Sequence, residues 1–443
     1  MVENGALAQA GQSLPTSTSV VVIGGGVAGV STALYLARWG IPVVLCEKGR
    51  IAAEQSSRNW GWIRRQGRDV RELPLMIESF RLWQELNAEL DQDIGYRQGG
   101  STYLAETDAE LAERAAWLDA AEGFQLDTRL LTAAEVDTML GQSERRFKGG
   151  LHTPSDAYAE PSQAVPALAR LAQREGAQLF EQTAVRTLEQ QAGRVTGVVT
   201  EHGTIACDTV ILAGGVWSRP FLENLGLSLP QLAIKSSAQR TSKAPLITTS
   251  TVGATGASFR PRLDGGYTIA RSGAASFELI PAAFRHFLAF TPILRDRWRI
   301  LRLRFGRSFF GALGSHRWQP DQFSPFEQVR VFDPSPDDKL LDDVLRAAQT
   351  LFPQLRETRP EQRWGGMIDV TPDELPVIDH VGQPAGLILA TGLSGHGFGL
   401  GPGVGYLAAQ LALGREPMVD TTPFRYARFH ASKERPASKE HPV

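Results

Sequence analysis

The chain has 443 residues, of which 42% are hydrophobic and 21% charged, with a formal net charge of -2. That length exceeds one ordinary domain and predicts two, and the near-neutral balance gives no reason to expect nucleic acid as a partner. Cys46 and Cys207 are the only cysteines, which excludes a disulfide framework and a cysteine-built metal site, and no metal is expected.

Residues 1–18 hold neither a long apolar run nor a basic start leading into one. They are expected to form a flexible tail without signal peptide or membrane anchor, and the location expected by default is cytoplasmic. Val20 to Ile23 is too short and too β-branched for a helix and reads as a strand. Gly24, Gly26 and Gly29 follow at G-x-G-x-x-G spacing, and the helix they open buries Val30, Ala33, Leu34 and Ala37 before stopping at Gly40. Val43 to Leu45 is the next strand. Glu47 closes it about twenty residues after Gly24, where an acid holds the ribose hydroxyls of an adenine nucleotide and would repel a 2′-phosphate.

A polar, irregular stretch then carries Ser56, Ser57, Arg58, Trp60, Trp62, Arg64, Arg65 and Gln66. Hydroxyls and guanidinium forks suit a diphosphate, and aromatics beside arginine suit a planar ring or a carboxylate. An amphipathic helix with Ile77, Phe80, Trp83, Leu86 and Leu90 on one face comes next, and Tyr96 to Ala105 reads as the first strand of a second domain. The chain returns through a helix over 161–176, short strands from Val185 to Val199, and a buried strand, Thr209 to Leu212, ending in AGGVWS. There Gly214 and Gly215 permit close approach of a ligand. Such returns mean that the two domains interleave.

Between Phe284 and Phe310, Arg285, Arg295, Arg297, Arg299, Arg302, Arg304 and Arg307 alternate with apolar residues and Trp298. An ordinary helix with a solvated face is the preferred reading; contact with an anionic membrane or a redox partner is the alternative. The last third holds WGGMIDVTPDELPVID at 364–379 and a strand from Leu387 to Ala390. Gly392, Gly395, Gly397, Gly399, Gly401 and Gly403 then read as a loop, and Pro402 as the opening of a helix that ends at Gly414. A glycine-rich loop feeding a helix N-terminus suits a large planar cofactor and favours negative charge on it. Two such turns at opposite ends of one chain fit a long cofactor such as FAD better than NAD alone.

The nucleotide unit at 20–47, the AGGVWS strand end, TPDELPVID and GHGFGLGPGVG together resemble the flavin-dependent oxidoreductases of the D-amino-acid oxidase, glycine oxidase and sarcosine oxidase group. EQSSR at 54–58 resembles the corresponding loop of the bacterial L-amino-acid deaminases in that group. The resemblance implies an α/β fold in which a Rossmann-like FAD-binding domain interleaves with an α+β substrate domain built on a mostly antiparallel sheet. The expected boundaries are 19–94, 145–226 and 355–431 for the first and 95–144 and 227–354 for the second, with a polar tail at 432–443. It also implies that Gly24, Gly26, Gly29 and Glu47, with Val27, Ala28 and Lys48 beside them, hold the AMP half of FAD. Ser56, Ser57 and Arg58 would lie along the diphosphate and flavin, Val185 would meet the adenine, Gly214 and Gly215 would approach the cofactor, and Gly395, His396, Gly397 and Phe398 would line the flavin ring.

This chain departs from the group in three ways. It has no late cysteine for a covalent flavin link, so FAD is expected to be non-covalent. The N-terminal membrane helix of the deaminases is not expected from residues 1–18, and Asp379 stands where the group usually has glycine, so a different local turn is expected.

The implied activity is oxidation of an α-amino acid, leaning to L, by hydride transfer from Cα to flavin N5, giving a 2-oxo acid and ammonia. Dioxygen or a respiratory carrier would take the electrons. D-amino-acid dehydrogenation, oxidative demethylation of N-methylated or opine-like amino acids, and a flavin-binding module without turnover stand as alternatives. Arg64, Arg271 and Arg65, in that order, are the candidate anchors for the substrate carboxylate, and Gln66 and His396 are candidates for polar contacts near the flavin.

Overall fold

The computed structural model describes residues 13–141, 147–297, 301–314 and 317–430. Strands Val20–Ile23 (β1) and Val43–Cys46 (β2) flank helix Val27–Arg38 (α1). Downstream come helix Leu73–Glu89 (α2), strands Ser101–Ala105 (β3) and Gly149–Thr153 (β4), helix Pro161–Arg174 (α3), and strands Gln178–Phe180 (β5), Thr209–Leu212 (β6) and Leu232–Thr241 (β7). Helix Asp338–Leu351 (α4), strands Pro360–Val370 (β8), Val377–His380 (β9) and Leu387–Thr391 (β10), and helix Gly397–Ala412 (α5) complete the main frame.

β1 and β2 are apolar at every position because both faces of their sheet are covered. That sheet runs β9-β10-β6-β1-β2-β5. Its pairs are parallel except β9 against β10, and Ile23 stands level with Leu212 and Cys46. Helices α1, α2, α3 and α5 pack on one face. The three-stranded sheet over 185–206 packs on the other, with Trp217, Trp318 and Phe326.

The larger sheet is mostly antiparallel and is centred on β7, which pairs with β8 from Leu232↔Val370 to Thr241↔Pro360. α4 covers it, setting Leu341, Val344, Ala348 and Leu351 among Phe259, Tyr267 and Ile269. β4 and β8, which the sequence groups with the cofactor side, pair within this larger sheet. Strand pairing of this kind joins segments far apart in the chain, and no local pattern carries it. Thr16 to Thr18 also differ from a loose tail: Thr18 N–H donates to the Ala206 carbonyl at 2.9 Å and Ala206 N–H to the Thr16 carbonyl at 2.9 Å. Residues 1–12 and 431–443 lie outside the described residues.

The late glycines are not all loop. Only residues 392–396 precede α5, and Gly397 to Gly405 lie inside it. A Cβ on Gly401 would fall 2.2 Å from Val27 Cγ2, and one on Gly405 would fall 2.4 Å from Ser31 Cβ, so these glycines let α5 lie directly on α1. Pro402, expected to open the helix, sits within it, and its missing N–H leaves the Phe398 carbonyl without an intrahelical donor. α2 supplies the remedy. The Trp83 indole N–H lies 3.3 Å from that carbonyl and 3.0 Å from the Gly399 carbonyl. The Ser79 hydroxyl donates to Gly399 O at 2.7 Å and accepts Gly403 N–H at 3.0 Å.

The arginine-rich segment forms helices Pro281–Arg285 and Phe287–Arg297 and strand Leu301–Arg304. Arg299 and Trp298 lie outside the described residues, as do the side chains of Arg297, Arg302 and Arg307. Its surface is not simply polar: Leu288 is 83% and Phe310 80% exposed, with Phe284, Phe287 and Phe305 also open to solvent. No described helix is long and apolar enough to cross a membrane.

Candidate active site

β1 hands the chain to Gly24 at a φ of 109°, a conformation that glycine alone adopts without strain. A Cβ at Gly29 would lie 2.0 Å from Gly24 O, so α1 starts hard against the strand. Gly26, Val27 and Ala28 thereby form the wall of a cleft of about 930 Å3, its open mouth included. Glu47, Lys48, Ser56, Val185, Gly214 and Gly215 line the same cleft, and so do Asp369, Thr391 and Leu393 from β8 and the end of β10. The early glycine turn and Leu393 of the late one therefore share one cavity, while the late glycines themselves do not line it.

Glu47 accepts hydrogen bonds from Gly25 N–H and Gly49 N–H, each at 2.7 Å. Burial pushes its carboxyl up to about 7, with Lys48 and the two amides pulling the other way. Ser56 Oγ accepts Val27 N–H at 2.8 Å and so caps α1 from a separate segment. Lys48 Nζ donates to Glu54 at 2.6 Å and to the Val329 carbonyl at 2.7 Å, and lies 4.3 Å from the Trp217 ring centre. Asp369, buried in β8, accepts Gly392 N–H at 2.8 Å, Leu393 N–H at 3.3 Å and Gln231 Nε2 at 3.1 Å. Burial raises its carboxyl against these donors. A backbone-only wall at a helix N-terminus, an acid at the end of β2 and a fixed loop at 392–393 fit a long, two-ended nucleotide cofactor.

Past Leu393 the loop reaches His396, whose Nδ1 lies 3.3 Å from Glu72 Oε2. Burial, then the Arg68 charge, lower His396 below its ordinary value, with Glu72 pulling the other way. Burial works to raise fully buried Glu72, but His396, Arg68 and Arg64 together hold its carboxyl below the usual range. Arg68 is 4% exposed, donates through Nε to the Arg64 carbonyl at 3.3 Å, and has no partner for Nη1 among the described residues. Burial and the Arg64 charge bring it down to about 10. Arg64 donates to the Gln66 carbonyl and lies over Tyr103 at 5.0 Å, and Arg114 meets the same ring at 5.4 Å.

The structure thus gathers Gly24, Gly26, Val27, Ala28, Glu47, Lys48, Ser56, Val185, Gly214 and Gly215 at the cleft, and Arg64 and His396 in the charged corner beyond it. Gly29 packs behind the turn. Gln66 is fully buried, with Nε2 at 3.0 Å from Thr153 Oγ1 and 3.3 Å from the Ser101 carbonyl, and Oε1 unpartnered among the described residues. Ser57 and Arg58 lie outside the cleft lining: Ser57 Oγ donates to the Glu54 carbonyl at 3.3 Å, and Arg58 holds Gly365 O at 3.0 Å and Asp333. Gly395, Gly397 and Phe398 are also outside it, Phe398 packing on Trp83 at 5.2 Å. Arg65 is committed elsewhere, with Nε at 3.2 Å from Asp156 and its guanidinium over Phe80 at 4.2 Å. The Arg271 side chain is exposed and has no hydrogen-bond or ion-pair partner among the described residues. Asp379 lies in β9, where it accepts Tyr426 N–H at 2.9 Å.

Sequence reading missed Asp369, Arg68, Glu72 and Arg114 as site residues. Asp369 was visible inside WGGMID, but Arg114 sits on a charged helix whose outward pattern gives no sign that one residue turns toward Tyr103.

A family model described as FAD dependent oxidoreductase matches residues 19–411. The chain is 28% identical to a glycine oxidase of Pseudomonas aeruginosa over 425 residues, covering 92% of this chain and 98% of that one. It is 26% identical to sarcosine oxidase subunit beta of an Arthrobacter species, covering 93% and 91%. Among solved structures, the L-amino acid deaminase of Proteus myxofaciens in complex with anthranilate is similar at a TM-score of 0.89 and 31% identity, covering 94% of this chain and 95% of that one.

Proposed function

This chain belongs to the FAD-dependent oxidoreductase family, and we propose that it oxidises the Cα–N bond of an L-α-amino acid, yielding a 2-oxo acid and ammonia. At the level of the family the activity is FAD-dependent oxidation of amino acids or N-methyl amino acids at a C–N bond. FAD, when bound, accepts the hydride and the two electrons that the substrate gives up.

One observation carries the proposal: Leu393 of the late turn lines the same cleft as the early glycine turn, and three residues further on His396 meets Glu72 beside guanidinium groups that lack full partners among the described residues. In this reading Gly24, Gly26, Val27, Ala28, Glu47, Lys48, Ser56, Val185, Gly214 and Gly215 hold the adenylate half and diphosphate without a covalent bond. Gly29 sets the helix behind them, Ser57 and Arg58 brace the wall from outside, and Gly395, Gly397 and Phe398 shape the flavin end. Arg64 takes the substrate carboxylate. Arg271, beside the larger sheet, is the second anchor, and Gln66 offers an acceptor through Oε1. With Nδ1–H given to Glu72, Nε2 of neutral His396 is an acceptor suited to the substrate ammonium group. The chain's task is then orientation and exclusion of water, which brings Cα within reacting distance of the ring.

The lean to L-substrates rests on EQSSR and on the likeness to the Proteus deaminase. Demethylation is the second reading, favoured by the likeness to sarcosine oxidase subunit beta. Anaerobic flavin bleaching with L-, D- and N-methyl amino acids separates them. Bleaching by N-methyl substrates alone removes the leading choice, and bleaching by D-amino acids alone reverses the stereochemical one.

The acceptor is dioxygen or a respiratory carrier. The exposed phenylalanines among the arginines of 284–310 favour a carrier in an anionic membrane, reached by peripheral docking from the cytoplasm. Liposome flotation at low salt tests this, and no binding removes the membrane idea.

A further inference from the structure

Positive charge is in excess where the substrate would sit. Arg64 and Arg114 reach the Tyr103 ring from 5.0 and 5.4 Å, and Arg68 is tied to Arg64 through its carbonyl at 3.3 Å. Counter-charge is short. Asp156 is occupied by Arg65 and by the backbone N–H groups of Arg65 and Gln66. Glu72 meets His396 Nδ1 through Oε2 at 3.3 Å and feels the Arg68 and Arg64 charges, and its Oε1 has no hydrogen-bond partner among the described residues. Glu113 meets Arg114 only at 3.9 Å and is itself 74% exposed, which makes it a weak partner. Three donors buried in this corner have no acceptor among the described residues: Arg68 Nη1, Arg114 Nε and Trp62 Nε1.

Buried guanidinium donors are paired in stable proteins, because an unpaired one bears the full loss of hydration. A single α-carboxylate accepts one bidentate fork, and in the reading above Arg64 supplies it. That leaves Arg68 and Arg114 unanswered, with Trp62 meeting Tyr103 edge to face, their centres 5.8 Å apart, where Arg114 reaches the Tyr103 ring. We propose that the substrate carries a second anionic group, received by Arg68 and Arg114 beside the Trp62–Tyr103 pair. The inference rests on the amino-acid-oxidising reading and narrows it to dicarboxylic substrates. The second carboxylate belongs either to the side chain or to a substituent on nitrogen.

The test uses purified holoenzyme and matched pairs. Anaerobic bleaching is compared for L-glutamate against L-glutamine, and for iminodiacetate against sarcosine. Equilibrium perturbation of the flavin spectrum is compared for glutarate against butyrate. The dicarboxylate in at least one bleaching pair, and glutarate over butyrate, are expected to win by about tenfold to a hundredfold, the value of one buried charge-assisted contact. The winning bleaching pair distinguishes side chain from nitrogen substituent. Arg114→Gln, at a partly exposed position that tolerates a neutral amide, is expected to bring the winning ratio toward one. Arg68→Gln serves as a second variant if it folds.

Glutamine or sarcosine preferred, with butyrate bound as well as glutarate, overturns the inference while leaving amino-acid oxidation standing. If no amine bleaches the flavin but glutarate binds tightly and Arg114→Gln weakens it, the dicarboxylate site stands and the proposed reaction falls. A substrate preference that Arg114→Gln leaves unchanged also overturns the assignment.

Discussion

Replacing Ser79 and Trp83, singly and together, tests how α5 survives a proline in its second turn. Phe398 O depends on Trp83 Nε1 at 3.3 Å, because Pro402 has no N–H to offer it. Gly399 O receives two donors, Ser79 Oγ at 2.7 Å and Trp83 Nε1 at 3.0 Å, and Gly403 N–H gives to Ser79 Oγ at 3.0 Å. A buried backbone group left without a partner costs about 1–3 kcal/mol. Trp83→Phe leaves Phe398 O unpaired, and Ser79→Ala removes the acceptor of Gly403 N–H, so each single change is expected to cost about 1–3 kcal/mol. After either change Gly399 O still has one donor; after both it has neither. The double variant is therefore expected to exceed the sum of the singles by about 1 kcal/mol or more. Urea unfolding at constant FAD and constant slope measures all three. A Ser79→Ala cost below about 0.5 kcal/mol with strict additivity would show that α5 closes its own bond and would refute the reasoning.

Glu47→Gln is expected to weaken FAD binding about tenfold to a hundredfold, the loss of a charge-assisted contact; fluorescence titration of apoprotein with FAD reads it, and an unchanged Kd sinks the role. His396, held below its ordinary value, binds its proton more readily in the unfolded chain. Stability from its neutral form is therefore lost as pH falls from about 6.5 toward the depressed native value. His396→Asn is expected to flatten the decline of the urea midpoint between about pH 6.5 and 5. His152 and His286, also lowered, supply a background common to both proteins, and equal slopes would count against the assignment. Gly405→Ala puts a Cβ 2.4 Å from Ser31 Cβ, and overpacking there is expected to cost about 1–3 kcal/mol, seen as a lower Tm.

The nucleotide unit was legible because every part of it is local. The strand, the turn at Gly24, α1 and Glu47 fall within one βαβ stretch, and each residue type has one physical use there. The late glycines were legible as a signal and misleading as a shape. Glycine and proline together favour a loop by propensity, but contact with Val27 and Ser31 of α1 and hydrogen bonds from Ser79 and Trp83 keep 397–405 helical. Tertiary packing overrides propensity at that point. Arg64 and His396 could be nominated from their neighbours in sequence. Arg68, Glu72 and Arg114 could not, since their meaning comes from burial and missing partners across α2, β3 and the helix Asp108–Ala120.

The central sheet sets a timetable for synthesis. β1 and β2 emerge first and find β5 and β6 by residue 212, but β10, which completes the other edge of β6, begins only at residue 387. At translation rates of about 5–20 residues per second, that edge stays unpaired for roughly 10–40 seconds. A nascent chain of this design thus presents Val210, Ile211 and Leu212 with an open backbone ladder, a template for misassociation between neighbouring polysomes. Asp369, Thr391 and Leu393, which complete the cleft, are made only late in that interval or after it, so holdase supply during it is expected to govern recoverable yield more than flavin supply does.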